Sequence, residues 1–253
     1  MQESTLGMDK FNAIVFGESG VGKTAMAGTL QSCIRTSPCL FLDVDMGTLC
    51  LDGMKERPTV LPVETWSQVG LVYKRLKDGD WKGLAEYIGK VIGREVPVLE
   101  YRSVVIDSGT ELEYKLRSEV VSEEGKQEIP SQPDYLKTQE RYRRMYRSFR
   151  DLPLSLVVTA GIRELKEEST GIVKRSPDFQ PSLAHDVVRM TDLVIYMSVT
   201  MEGAGSEAKW TRHLITSLSQ RFVARDRSGK LPAVMSGDKF YWNDILKRMF
   251  GNG

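Results

Sequence analysis

FNAIVFGESGVGKTAMAGTL, residues Phe11 to Leu30, is the stretch whose reading decides the fold. Ala13 to Phe16 is a short apolar run of the kind that forms a buried strand. Gly17-Glu18-Ser19-Gly20-Val21-Gly22-Lys23-Thr24 follows with the spacing G-x-x-x-x-G-K-[ST], and Ala25 to Leu30 reads as a helix. Glycines at 17, 20 and 22 let the backbone wrap tightly because no Cβ obstructs it. The wrapped N–H groups and the helix N-terminus then converge on one anion. Lys23 adds a mobile positive charge for β- and γ-phosphates. Thr24 offers a hydroxyl to Mg²⁺, a cation that sheds its waters reluctantly and takes few protein ligands. The competing reading, a chance glycine-rich turn, leaves the flanking strand and helix unexplained. The expected ligand is a nucleoside triphosphate with Mg²⁺, held by Gly17, Glu18, Ser19, Gly20, Val21, Gly22, Lys23, Thr24 and Ala25.

The rest of the chain bounds what surrounds this loop. Its 253 residues suffice for one large α/β domain, and the expected organisation is a single domain over 1–253 with a loose lead-in at 1–9. With 35 Lys and Arg against 34 Asp and Glu, the net charge is +1, so any nucleic-acid binding must come from a local patch. Three cysteines without a C-x-x-C argue against a disulfide framework or a zinc site, and two distant histidines, His185 and His213, argue against a histidine metal site. No apolar run reaches membrane-spanning length and MQESTLGMDK lacks the apolar core of a signal peptide. The expected location is therefore the cytoplasm, with no membrane partner.

Apolar periodicity organises the remainder. Cys39 to Leu42 reads as a second buried strand that runs into Asp43-Val44-Asp45, and Thr59 to Val63 as a third. Thr65 to Leu76 and Trp81 to Ile92 have helical spacing. Arg102 to Ser108 carries three β-branched residues into Asp107, with a helix expected over Thr110 to Val121. Ser122 to Pro133 is a polar loop. Tyr135 to Arg150 is a helix with Leu136, Tyr142, Met145, Tyr146 and Phe149 on its expected buried side and a basic face that includes Arg143 and Arg147. Leu154 to Ala160 is a strand. Gly161 to Asp186 reads as a long polar loop with a hairpin turn at Thr170-Gly171. Leu193 to Val199, Lys209 to Thr216 and a short piece within Arg221 to Gly229 follow as strands, with Glu202 to Gly205 as a turn and a last helix over Phe240 to Phe250. Strands alternating with helices and then strands in succession predict an α/β fold: a mostly parallel central sheet flanked by helices, with antiparallel strands at the C-terminal edge.

Function narrows by exclusion. No N-K-x-D is present to read guanine, which favours ATP. Asp226-Arg227 is too little for a kinase lid. Transporter-type and AAA+ ATPases place a glutamate directly after the aspartate of the Walker B strand, and here Ser108 stands there. VVIDS, residues 104–108, resembles that Walker B strand, whose aspartate completes the Mg²⁺ site together with the threonine of the loop; Asp107 and Thr24 are the candidates.

The chain resembles the phage RecA-like ATPases associated with single-strand annealing and recombination. The resemblance runs through FGESGVGKT, FLDVD, Trp66, VVIDS, VVTAGIRE, TDLVIYM and FVARDRSGKLP. It implies a RecA-like P-loop fold and ATP hydrolysis with Mg²⁺. Asp45 holds the position of that family's water-activating glutamate. Arg225 and Arg227 resemble its basic turn, which reaches a neighbouring subunit's γ-phosphate. Thr159 stands where an amide senses that phosphate. The resemblance also implies a homo-oligomer in a phage or bacterial host cytoplasm and single-stranded DNA as partner, with a single-strand-binding protein as a further candidate. The DNA-facing candidates are Arg163, Lys174 and Arg175 in the loop and Arg143 and Arg147 on the basic helix. Two other classes stay open: a nucleotide-dependent assembly or adaptor ATPase without direct DNA binding, and a small-molecule kinase.

Overall fold

The computed structural model describes residues 10–123, 129–168, 171–203 and 209–251. The lead-in at 1–9, part of the polar loop after 122, Thr170 of the expected turn and positions 204 and 205 of the next lie outside the described residues.

Six strands form the parallel heart of a nine-stranded sheet: β1 (Asn12–Phe16), β2 (Cys39–Asp43), β3 (Thr59–Pro62), β4 (Ser103–Asp107), β5 (Ser155–Ala160) and β8 (Leu193–Glu202), in the order β3-β2-β4-β5-β1-β8. β9 (Lys209–Ile215) and β11 (Val234–Gly237) continue it antiparallel beyond β8, and β10 (Arg225–Asp226) pairs with the first residues of β8. This is the α/β architecture the sequence predicts.

The inner strands are continuous apolar runs because both faces of the sheet are covered. Along β1, Ile14 and Phe16 enter one core while Ala13 and Val15 enter the other. The first face is closed by α2 (Trp66–Asp78), α3 (Trp81–Ile92), α4 (Gly109–Glu123), α5 (Gln132–Asp151) and α6 (Pro181–Met190), which bury Val69, Leu84, Leu112, Tyr142 and Leu183 against it. The second is closed by α1 (Lys23–Gly28) and α7 (Trp242–Phe250) through Met26, Trp242 and Leu246. Fully burying one such side chain contributes about 1.5–3 kcal/mol. Every parallel strand ends on the same edge of the sheet, which gathers the residues after Phe16, Asp43, Asp107 and Ala160 into one crevice.

Two expectations need correction. The stretch read as a long loop with a hairpin turn, 161–186, is regular structure: a hairpin of β6 (Ile162–Lys166) and β7 (Val173–Pro177) followed by α6. Half of the strand positions are charged, so no apolar alternation marks them. α6 was legible in principle: Leu183, Ala184, Val187 and Met190 are buried at helical spacing behind Pro181 in the first turn. Leu136 is 61% exposed, not buried, because it lies six residues before Tyr142, roughly 240° round the helix.

Candidate functional site

The loop between β1 and α1 is shaped by two close approaches. A Cβ at Gly17 would lie 2.2 Å from the carbonyl oxygen of Met197 on β8, so only glycine lets the strands meet there. Gly22 takes φ +107, in the left-handed region, as the chain turns into α1. Arg212 on β9 donates from Nε to the carbonyl of Val21 at 3.0 Å and from Nη1 to that of Asp238 at 2.6 Å, tying the loop to the C-terminal edge. Lys23 Nζ donates to the carbonyls of Gly17 at 3.0 Å and Glu18 at 2.8 Å, which holds the amine at the mouth of the loop. Burial lowers its pKa, opposed by the carboxylates of Asp107 and Asp45.

Asp107 ends β4 beside this mouth. Thr24 Oγ1 donates to its Oδ2 at 2.8 Å and Thr159 Oγ1, from β5, donates to its Oδ1. Burial pushes the Asp107 carboxyl up, the two threonine hydroxyls pull it down, and the carboxylates of Asp45 and Asp43 push it up again. A hydroxyl and a carboxylate in contact, both hard oxygen donors, fit a cation that takes few protein ligands. Among the described residues no trio of His, Cys, Asp or Glu forms a denser metal cluster. Thr159, expected to sense a γ-phosphate, is instead engaged with Asp107, because its strand lies between β1 and β4.

The two acids after β2 separate. Asp43 is buried, and its oxygens accept from Gly47 N at 3.1 Å and Thr48 Oγ1 at 3.0 Å, so it shapes the turn. Asp45 is exposed at the crevice, where its Oδ1 accepts from Ser108 Oγ at 2.8 Å and Ser108 N at 3.2 Å. Backbone bonds from Val44 N and Asp45 N to the carbonyl of Asp107, at 2.6 and 3.2 Å, clip the ends of β2 and β4 together. The open cleft here, about 570 Å³, is lined by Lys23, Asp45, Ser108, Glu111, Lys115 and Gly161 among others. Glu111 and Lys115 were not singled out in the sequence; lying two residues either side of Glu113 on a charged stretch of helix, they gave no signal. A second cavity, about 480 Å³, opens on the far side of Gly22 and Ala25 between Met26, Met54, Arg212 and Tyr241.

The remaining candidates do not gather here. Arg225 and Arg227 sit at the opposite end of the sheet, where β10 pairs with Leu193 and Val194 while the phosphate loop follows Phe16, opposite Tyr196. Arg227 bonds Asp192 at 3.0 Å and the carbonyl of Arg189 at 2.6 Å, and Arg225 reaches that same carbonyl at 3.4 Å. The basic face of α5 is largely engaged: Arg141 with Glu123 at 2.7 Å, Arg143 with Asp186 at 2.6 Å, Arg144 with Glu140 at 2.9 Å, and Arg147 Nε against Met190 Sδ at 3.2 Å. Arg143 thus ties α5 to α6 rather than facing outward. On the hairpin, Lys174 is exposed, Arg163 donates to the carbonyl of Phe179 at 3.1 Å, and Arg175 pairs with Glu164 at 2.8 Å over the ring of Phe222.

Residues 9–228 match a family model described as the AAA domain. No curated protein matches the sequence. Among solved structures the chain is similar to a prototypical ATPase from the type III secretion system of pathogenic bacteria, at 12% identity and a TM-score of 0.47 over 74% of this chain and 51% of that one. It is also similar to the flagellar accessory protein FlaH from Methanocaldococcus jannaschii, at 11% identity and a TM-score of 0.38 over 89% of this chain and 84% of that one. The chain therefore spans about half the length of the secretion ATPase. No helix among the described residues is long and apolar enough to cross a membrane.

Proposed function

The chain belongs to the AAA domain family, an ATPase domain of the P-loop kind, and on that premise we propose that it hydrolyses ATP with Mg²⁺ in the crevice above β1 and β4 and uses the cycle to grip single-stranded DNA through the β6–β7 hairpin. The backbone N–H groups from Gly17 to Ala25 take the phosphates. Lys23 meets the β- and γ-oxygens. Thr24 and Asp107 would hold Mg²⁺, which would supply positive charge to offset that of the phosphates. The base and sugar extend past Ala25 into the cavity beside Tyr241. In hydrolysis a water oxygen bonds to the γ-phosphorus, the bond from that phosphorus to the bridging oxygen breaks with its electron pair leaving on ADP, and the water proton passes to Asp45. Ser108 is a positioning residue for that carboxylate.

The base cavity yields a direct check. Replacing an aromatic that stacks on a base costs about 1–3 kcal/mol, roughly five- to hundredfold. Tyr241→Ala should weaken ATP binding within that range while leaving inorganic triphosphate binding unchanged, read by calorimetry. Cys50 lines the same cavity and is exposed, whereas Cys33 and Cys39 are buried. ATP should therefore slow alkylation of Cys50 alone, read by mass spectrometry; equal rates with and without ATP place the base elsewhere.

The single observation that supports a DNA-gripping role is where the hairpin is rooted. Gly161 and Ile162 line the phosphate cleft itself, and Gly161 N donates to Thr110 Oγ1 at 3.0 Å, two residues beyond Ser108. A change at the γ-phosphate is thereby felt at the base of an arm that carries Arg163, Lys166, Lys174 and Arg175. The test is ATP turnover with and without single-stranded DNA across a salt series. Binding to single strands should fall with a log–log slope of about −0.7 per phosphate contacted, and Lys174→Ala should flatten it by about one contact. DNA-indifferent turnover at low salt would instead favour an assembly or adaptor ATPase. The pairing of the α5 arginines with Glu123, Asp186 and Glu140 favours that second reading, because it offsets much of the positive charge on that helix. The same role leaves a homo-oligomer as the expected working form.

A further inference from the structure

The crevice as a catalytic site lacks one component. Phosphoryl transfer spreads negative charge over the γ-oxygens, and a cation placed there lowers the barrier. Lys23 donates to the loop carbonyls of Gly17 and Glu18 and reaches the γ-oxygens from the loop side alone. Arg225 and Arg227, the cations expected for this purpose, lie at the other end of the sheet with partners in their own protomer.

Lys115 is on the correct side. It projects from the second turn of α4, the helix that begins directly after Asp107 and Ser108, and it lines the same cleft as Lys23, Asp45 and Ser108. Its side chain is half-buried, so the wall of the cleft restricts where the amine can go. Glu111, one turn before it and also lining the cleft, is a standard i, i+4 partner for a lysine. Among the described residues no ion pair forms between them within 4.0 Å, and Lys115 has no hydrogen-bond or ion-pair partner. Its amine is uncommitted and can meet an anion that enters the cleft. Most arginines of α5, by contrast, pair with an acid.

We propose that Lys115 is a catalytic residue that supplies, within the same protomer, the positive charge on the γ-phosphoryl group during ATP hydrolysis. The assignment rests on the reading of the crevice as the hydrolytic site. It places Lys115 opposite Lys23 across the γ-phosphate, with Asp45 and the attacking water between them and solvent. Turnover then does not depend on a cation from a neighbouring subunit.

The test uses a fluorescent ADP analogue, alone and with aluminium fluoride, which together mimic the planar transferring phosphoryl group. Wild-type protein should bind the ADP analogue and bind it more tightly with aluminium fluoride. Lys115→Ala should bind the ADP analogue within about threefold of wild type, lose the tightening, and turn over about 10²–10³ times more slowly, the usual effect of removing one transition-state donor. Lys115→Arg should recover part of both losses, which a packing role would not produce. Mixing Lys115→Ala with Lys23→Ala protein should restore nothing, because each chain lacks one of two groups needed in one site. Undiminished tightening by aluminium fluoride in Lys115→Ala overturns the assignment, and rescue in the mixture overturns its placement within one protomer. Wild-type protein that fails to bind the ADP analogue at all would overturn the nucleotide reading, and Lys115 with it.

Discussion

Lys23→Ala is expected to abolish ATP turnover, lowering kcat/KM by at least about 10³-fold, while leaving the fold intact or slightly more stable. The two halves of that expectation have separate causes. Lys23 is half-buried, and burial lowers its pKa because the charged amine is poorly solvated there. What it gains in return is two backbone carbonyls and the nearby Asp107 and Asp45 carboxylates. Removing the amine removes a costly charge and touches neither core, so the melting temperature without nucleotide should stay level or rise. Nucleotide, by contrast, stabilises whatever binds it, by about 2.7 kcal/mol at a hundred times its Kd. Wild-type protein should show that shift in a thermal melt with ATP and Mg²⁺, and Lys23→Ala should show little of it. A variant that melts lower without nucleotide but keeps the full ATP shift would mean that Lys23 is a structural residue and that the phosphates are held without it.

The phosphate-loop motif, the aspartate at the end of β4 and the parallel sheet were legible because local chemistry dictates them. A glycine at 17 or 22 is demanded by backbone geometry that the spacing itself encodes, and strands covered on both faces must be apolar throughout. The residues that complete the site were not legible in this way. Arg212, Lys115 and Tyr241 come from β9, α4 and the segment before α7, and only the fold brings them to the loop. The charged hairpin hid for a related reason: a two-stranded sheet open to solvent has no buried face to write an alternation. Positive charge on α5 misled in the opposite direction, since two of the acids that engage it lie on α4 and α6, as far as 43 residues away in the chain. Ser108 stands where AAA+ proteins place an acid after Asp107, and the sequence reading looks to Asp45 for that carboxylate instead. The missing carboxylate reaches that place from another strand, because Ser108 holds Asp45 by both its hydroxyl and its N–H.

Asp45→Asn should therefore retain ATP and Mg²⁺ binding and lose turnover by about 10²–10⁴-fold, the usual contribution of a positioned general base. The amide is the sharpest probe available at this site. Its oxygen can accept from Ser108 N and Oγ as the carboxylate oxygen does, so the turn after β2 and the clip between β2 and β4 persist. Only the capacity to take a proton is lost. Asp45→Ala removes the acceptor as well and should additionally loosen the loop, which would appear as faster hydrogen exchange at Ser108. Ser108→Ala keeps the carboxylate and the backbone N–H that bonds it but removes the hydroxyl donor, so kcat should fall by a smaller factor with KM little changed. Asp43 is excluded as a substitute base by its bonds to Gly47 and Thr48. Glu18 and Glu111 are the other acids that line the same cleft. If Asp45→Asn turns over normally while Glu111→Gln does not, the proton goes to α4 instead of β2, and the two acids exchange roles around a phosphate site that is otherwise unchanged.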